Sequence, residues 1–219
     1  MTDAASPLAP AFVSMGDIRV NEIAGDTVGI DMVKRWYDPE QYRYEDWDWE
    51  QVTAYYGREL IPAYLPAGLT GAPSNGTVQA VREPGGAVVE DTVRLAFYHD
   101  YYEDGSPMLT RDVAAPLGFS LTVSRLVLDQ GCFYLDPQGT ERSVSTVLGT
   151  EVTFGHCNAS YGPYDPQTHA PAGFYDIYVA EFEQDGILFR LIAEQLELEE
   201  VVRVAASLIS GQAVVDVIH

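Results

Sequence analysis

The chain has 219 residues, 47% hydrophobic and 21% charged, which supplies a real core and excludes an intrinsically disordered protein. Acidic residues outnumber basic ones 33 to 12, for a formal net charge of −21, and Lys34 is the sole lysine. This argues against contacts to nucleic-acid phosphates or to an anionic membrane surface, both of which need clustered cations.

Residues 1–15 are small, proline-containing and aperiodic, and predict a flexible tether. No run approaches the roughly 18 apolar residues of a transmembrane helix, and no charged-then-apolar leader opens the sequence. Residues 16–219 read as one α+β domain, with 16–60 as an N-terminal cover segment and 61–210 as its core. The cover segment starts with a short β-like piece, Asp17 to Ile23, and continues into a polar-aromatic stretch. Residues 45–65 predict a helical region: Asp46 or Asp48 can cap it, Trp49, Val52, Tyr55 and Tyr56 follow at helical spacing, and Gly57 interrupts it. Residues 70–76 read as a loop.

From there the chain reads as β. Candidate strands are Thr77–Arg82, Thr92–Tyr98, Met108–Val113, Phe119–Leu128, Ser143–Leu148, Glu151–His156, Phe174–Glu183 and Ile187–Glu194, separated by Gly-containing turns. The clearest turn is Gln184-Asp185-Gly186, a tight hairpin that favours positive φ. Asn158 to Gly173 reads as a long Pro/Gly/Tyr loop. Glu197–Ser210 predicts a helix, with Leu198, Val201, Val202, Ala205, Leu208 and Ile209 as one apolar stripe, acids in the first turn, and Gly211 at the C-terminal cap. A final strand after Gly211 is optional. The fold expected is a curved antiparallel sheet of about six to eight strands packed by this C-terminal helix, with an N-terminal helical segment.

The histidines and the two cysteines show no metal-ligand spacing, and no cofactor, P-loop or nucleophile-elbow motif occurs. Cys132 and Cys157 fall in β segments and can meet as a disulfide if the protein is exported, or stand as two buried thiols. His156 and Cys157 are adjacent, but neighbours in a strand point to opposite faces and so cannot act together locally. Residues 37–50 hold two of the three tryptophans and six acids. Two readings fit them: a ligand face of aromatic platforms and carboxylates, or an amphipathic cover packed on the sheet. The candidate ligand face comprises Trp36, Trp47, Trp49, Tyr161 and Tyr164; the long loop, with Tyr161, Tyr164, Phe174 and one histidine, reads as a lip over a groove or as an ordered surface loop. No residue is assigned a catalytic or metal-binding role.

IPAYLPAGL (61–69) and GFYDIYVAEFEQDGILFRLIAEQLELEEVVRVAASLI (173–209) resemble the domain of unknown function at the extracytoplasmic end of membrane-tethered anti-sigma-type regulators of Gram-positive bacteria. They are distantly similar to the C-terminal domain of the periplasmic MucB/RseB regulators. Phe182 stands near the family's usual tryptophan, Gly186 matches its turn, and Leu196, Val201, Ala205, Ala206, Ser207 and Leu208 match its helix. The resemblance covers roughly residues 61–210; the family's sigma-binding part and transmembrane helix are not in this sequence. It implies an extracytoplasmic, non-enzymatic sensor or regulatory domain, membrane-anchored in its full-length form. Such a domain would bind a partner protein or envelope ligand, and the net charge favours a basic one. A stand-alone lipid- or glycan-binding module and a diverged hydrolase are the alternatives.

Overall fold

The structure is a computed structural model that describes residues 12–14, 37–73, 78–99, 115–126 and 141–215. Among these residues, twelve strands and two helices follow in order: β1 (Phe12–Ser14), β2 (Arg43–Trp47), α1 (Trp49–Tyr56), β3 (Thr70–Pro73), β4 (Val78–Arg82), β5 (Val88–Glu90), β6 (Val93–Tyr98), β7 (Gly118–Ser124), β8 (Glu141–Val147), β9 (Thr150–Tyr161), β10 (Gly173–Gln184), β11 (Ile187–Glu194), α2 (Leu198–Ser210) and β12 (Ala213–Val215). Seven strands form one antiparallel sheet in the order β3-β6-β7-β11-β10-β9-β8, and β2-β4-β5 form a smaller antiparallel one. The architecture is broadly α+β, mostly antiparallel strand with a C-terminal helix, as the pattern predicts.

Two hairpins set the register. In β10–β11, Gln184 faces Ile187 across Asp185 and Gly186, at φ 54° and 68°. In β8–β9, Val147 faces Thr150 across Leu148 and Gly149, at φ 51° and 85°. Both are two-residue connections with left-handed central residues, the geometry whose twist matches that of the strands.

Alternation then sorts the side chains. On one face of the large sheet, Leu95, Leu121, Leu191 and Ala180 lie in one cross-strand row, and Val93, Val123, Phe189 and Phe182 lie in the next. Phe182 and Phe189 stack with ring centres 5.0 Å apart. This face packs against α2 through Val201, Val202, Val204, Ala205 and Leu208 and also against Trp47, Val52, Tyr56 and Leu60. Fully burying side chains of this size stabilises by roughly 1.5–3 kcal/mol each. The other face carries a separate cluster of Cys157, Tyr175, Ile177 and Val179. It also holds Glu194, 2% exposed, which accepts hydrogen bonds from the Tyr98 hydroxyl at 2.8 Å and the Tyr175 hydroxyl at 3.2 Å.

The structure departs from the pattern at several N-terminal positions. The helix is Trp49–Tyr56, shorter than 45–65. The Asp48 carboxylate accepts from the Gln51 N–H at 2.8 Å and the Gln51 side chain accepts from the Asp48 N–H at 2.9 Å, a capping box that fixes the start. Gly57, at φ 69°, ends it. Residues just before the cap form β2, paired with β4, and Thr70–Pro73, inside the expected loop, form an edge strand on β6. Phe12–Ser14, inside the expected tether, pair in parallel with β12, so three residues of that segment belong to the fold. The proposed strands at Asp17–Ile23 and Met108–Val113 lie outside the described residues.

A buried aspartate, through its carboxylate and its backbone carbonyl, joins the small sheet, α1 and the large sheet. Asp91, fully buried between β5 and β6, accepts from the Ser124 hydroxyl and from the Arg125 N–H at 2.7 Å. The Tyr56 hydroxyl donates to the Asp91 carbonyl at 2.7 Å, and the Arg125 guanidinium donates to the Tyr56 carbonyl at 2.7 Å, satisfying the C-terminal end of α1. Replacing Asp91 by alanine leaves buried donors without an acceptor, so Asp91→Ala is expected to lower the unfolding free energy by about 3 kcal/mol in urea denaturation. A loss under about 1 kcal/mol contradicts the anchoring role.

Burial, followed by the Asp91 charge, pushes the Tyr55 phenol up to about 12 and Tyr56 well above its ordinary range. The folded chain therefore holds these protons more tightly than the unfolded chain, whose phenols titrate near 10. Their contribution to stability is intact below about pH 10 and is lost as pH rises through about 12. Near-ultraviolet difference titration should show a tyrosine fraction that ionises only as the protein unfolds. Ionisation of every tyrosine in one step near pH 10, with the fold intact, contradicts this.

Candidate functional site

Strands β9 and β10 are twelve residues each, about 40 Å at 3.4 Å per residue. Their neighbours are shorter. β11 pairs with β10 only over Ile177–Gln184, and β8 pairs with β9 only over Thr150–His156. Among the described residues, 157–161 and 173–176 thus continue past both neighbours as a two-stranded ribbon, closed by the 162–172 connection. The loop is shorter than the sequence suggests, because both strands run on into it.

The ribbon's two faces differ. Tyr175 is buried and its ring lies 6.2 Å from that of the half-buried Tyr161, beside Ile177 and Cys157. On the opposite face Phe174 is 70% exposed. It sits directly across from Ser160, whose hydroxyl is 3.0 Å from that of Tyr164, itself 59% exposed. The same face continues with Asp176 and then Tyr178. His156 stacks on Tyr178 at 4.7 Å and donates through Nε2 to Asp176 Oδ1 at 2.8 Å. Burial raises the Tyr178 phenol, with the Asp176 and Glu197 charges adding to it. In the connection, the Thr168 and Gln167 N–H groups donate to the Asp165 carboxylate and hold it below the usual carboxylate range. Aromatic rings, a histidine and carboxylates therefore share one surface that neither α2 nor a neighbouring strand covers fully.

Of the candidate aromatics, the described four, Trp47, Trp49, Tyr161 and Tyr164, do not share one face. Trp47 is 5% exposed and belongs to the core, 4.8 Å from Tyr55. Its indole N–H donates to Glu45, and this bond, with Arg82 and Arg43, holds Glu45 below the ordinary range. Trp49 is half-buried and packs against the same core. Both indoles serve as cover, the second of the two sequence readings, because β2 pairing and the capping box turn them inward. Tyr161 faces the opposite way from Tyr164. Trp36 and Cys132 lie outside the described residues, so the disulfide question rests there; Cys157 is buried. Phe174, which the sequence places with Tyr161 and Tyr164 in the lip, shares its exposed face with Tyr164 and not with Tyr161; Tyr178 joins that face by strand alternation alone.

His156 and Cys157 occupy opposite faces, as alternation requires, and do not act together. Glu151, Thr153, Glu181, Glu183 and Leu188 help line an open cleft of about 340 Å3 near the β10–β11 turn. Glu181 is held there by the Arg190 guanidinium. Among the described residues no three metal-ligating side chains converge, and no helix is long and apolar enough to cross a membrane.

No family model, curated protein or solved structure matches the chain.

Trp47→Ala is expected to cost about 3 kcal/mol of stability by loss of core packing, whereas Phe174→Ala is expected to stay within about 0.5 kcal/mol. Urea melts of both variants check the assignment. Comparable losses would place Phe174 in the core.

Proposed function

We propose that this chain is a non-enzymatic, extracytoplasmic sensor or regulatory domain of a membrane-tethered protein, binding a partner protein or envelope ligand on the β9–β10 ribbon. The observation that carries it is the exposure of Phe174 and of Tyr164, both next to Ser160, on a ribbon that extends beyond its neighbours among the described residues. Large rings left in water on a projecting hairpin add little to stability and offer a contact surface. In this reading the large sheet curves about α2, with stability in the α2-facing core and binding at the free end. The resemblance of 61–69 and 173–209 to anti-sigma-type regulators supports the compartment and the tethered setting.

The test is topology in the native host. Cells expressing the native gene product are fractionated, and intact cells are treated with protease. The reading predicts a membrane-associated protein cut from outside. A cytosolic, protected protein contradicts it.

A further inference from the structure

Between Arg142 and Arg190 the sequence contains no lysine or arginine, yet it contains Glu151, Asp165, Asp176, Glu181, Glu183 and Asp185. The whole β9–β10 hairpin is therefore anionic without an internal cation, apart from the histidines. On its aromatic face, Asp176 is well exposed beside Phe174 and Tyr178, Asp165 lies in the adjoining connection, and Glu197 at the start of α2 acts on Tyr178. Exposed rings flanked by carboxylates match a planar cation, which can stack on a ring face while a carboxylate accepts its hydrogen bonds. Arginine fits this better than lysine, because its guanidinium is planar and more weakly hydrated.

Resting on the reading of the ribbon as a binding face, we propose that its occupant is an arginine-rich segment of a partner protein, seated across Phe174, Tyr164 and Asp176. The net charge of −21 steers such a segment toward the domain, and the ribbon supplies the stacking that selects where it docks. Charge alone does not choose between this face and the cleft of Glu151 and Glu183 on the other side; the exposed rings do.

The probe is an amidated hexa-arginine peptide titrated into the full chain by calorimetry. Phe174→Ala/Tyr164→Ala is expected to weaken binding about 4- to 25-fold, at about two- to five-fold per exposed ring. Asp176→Asn is expected to weaken it and to flatten its salt dependence. Glu151→Gln/Glu183→Gln, which removes two charges from the opposite face, is expected to change affinity less than two-fold. Hexa-lysine is expected to bind more weakly than hexa-arginine. All these side chains are exposed, so thermal unfolding of each variant should match the parent. If the cleft variant loses as much as the ribbon variant, or the ribbon variant loses nothing, the occupant is misassigned. A neutral N-acetylglucosamine oligomer separates the two layers of the claim. Binding of that oligomer but not the peptide, dependent on Phe174 and Tyr164, overturns the arginine assignment and keeps the ribbon as a binding face. Failure of both probes to sense the ribbon removes both.

Discussion

The structure depends on the pairing register of the β10–β11 hairpin, fixed by the two residues Asp185 and Gly186 at positive φ. Side chains alternate along a strand, so a slip of one residue would exchange the two faces of the central strands. Phe182, Ala180 and Tyr178 would leave the α2 side, and Ile177, Val179 and Tyr175 would replace them. Glu194, buried between two tyrosine hydroxyls, would be turned toward the hydrophobic core. The turn cannot hold this register alone. The apolar rows on the α2 side and the tyrosine–glutamate contacts on the other side both favour it, and a slip would forfeit both.

Stability and presentation are thus separated along the same two strands. Toward the turn, β9 and β10 lie between neighbours and under α2. Toward the 162–172 connection they pair with each other beyond the ends of β8 and β11. The first half needs large apolar residues. The second half tolerates Phe174 and Tyr164 in water because little of the core is built from them. Toward the β3 side of the large sheet, Asp91 ties α1 and the small sheet to β7: its backbone carbonyl accepts from Tyr56 and its carboxylate from Ser124 and the Arg125 N–H, in addition to packing.

Much of the fold was legible wherever one period ruled a long segment. The α2 stripe and its Gly211 cap, the strands from residue 143 onward and the Asp185-Gly186 turn all follow from alternation, helical spacing and glycine chemistry. The N-terminal part was less legible, because β2, β3 and β5 are five residues or fewer, and the partners of β2 and β3 are distant in sequence. A short polar strand such as Arg43–Trp47 carries too few residues for a period to emerge. The setting of the two described tryptophans was hard to read for a related reason. Trp47 and Trp49 stand among acids and look like a ligand face, yet the strand and the cap around them turn both indoles inward. Phe174 lies at the edge of a Pro/Gly-rich segment that masks the continuing strand, so its exposure could be read only after the β9–β10 register was known.

Solvent paramagnetic relaxation of the aromatic ring signals, measured by NMR with a soluble gadolinium chelate, tests this two-faced arrangement most directly. Phe174 and Tyr175 are adjacent in sequence and assigned to opposite fates. Strong relaxation of the Phe174 and Tyr164 rings is expected, with protection of Tyr175 and Tyr98. Equal relaxation of Phe174 and Tyr175, or protection of Phe174 with exposure of Tyr175, would contradict the register and with it the ribbon as a presented surface.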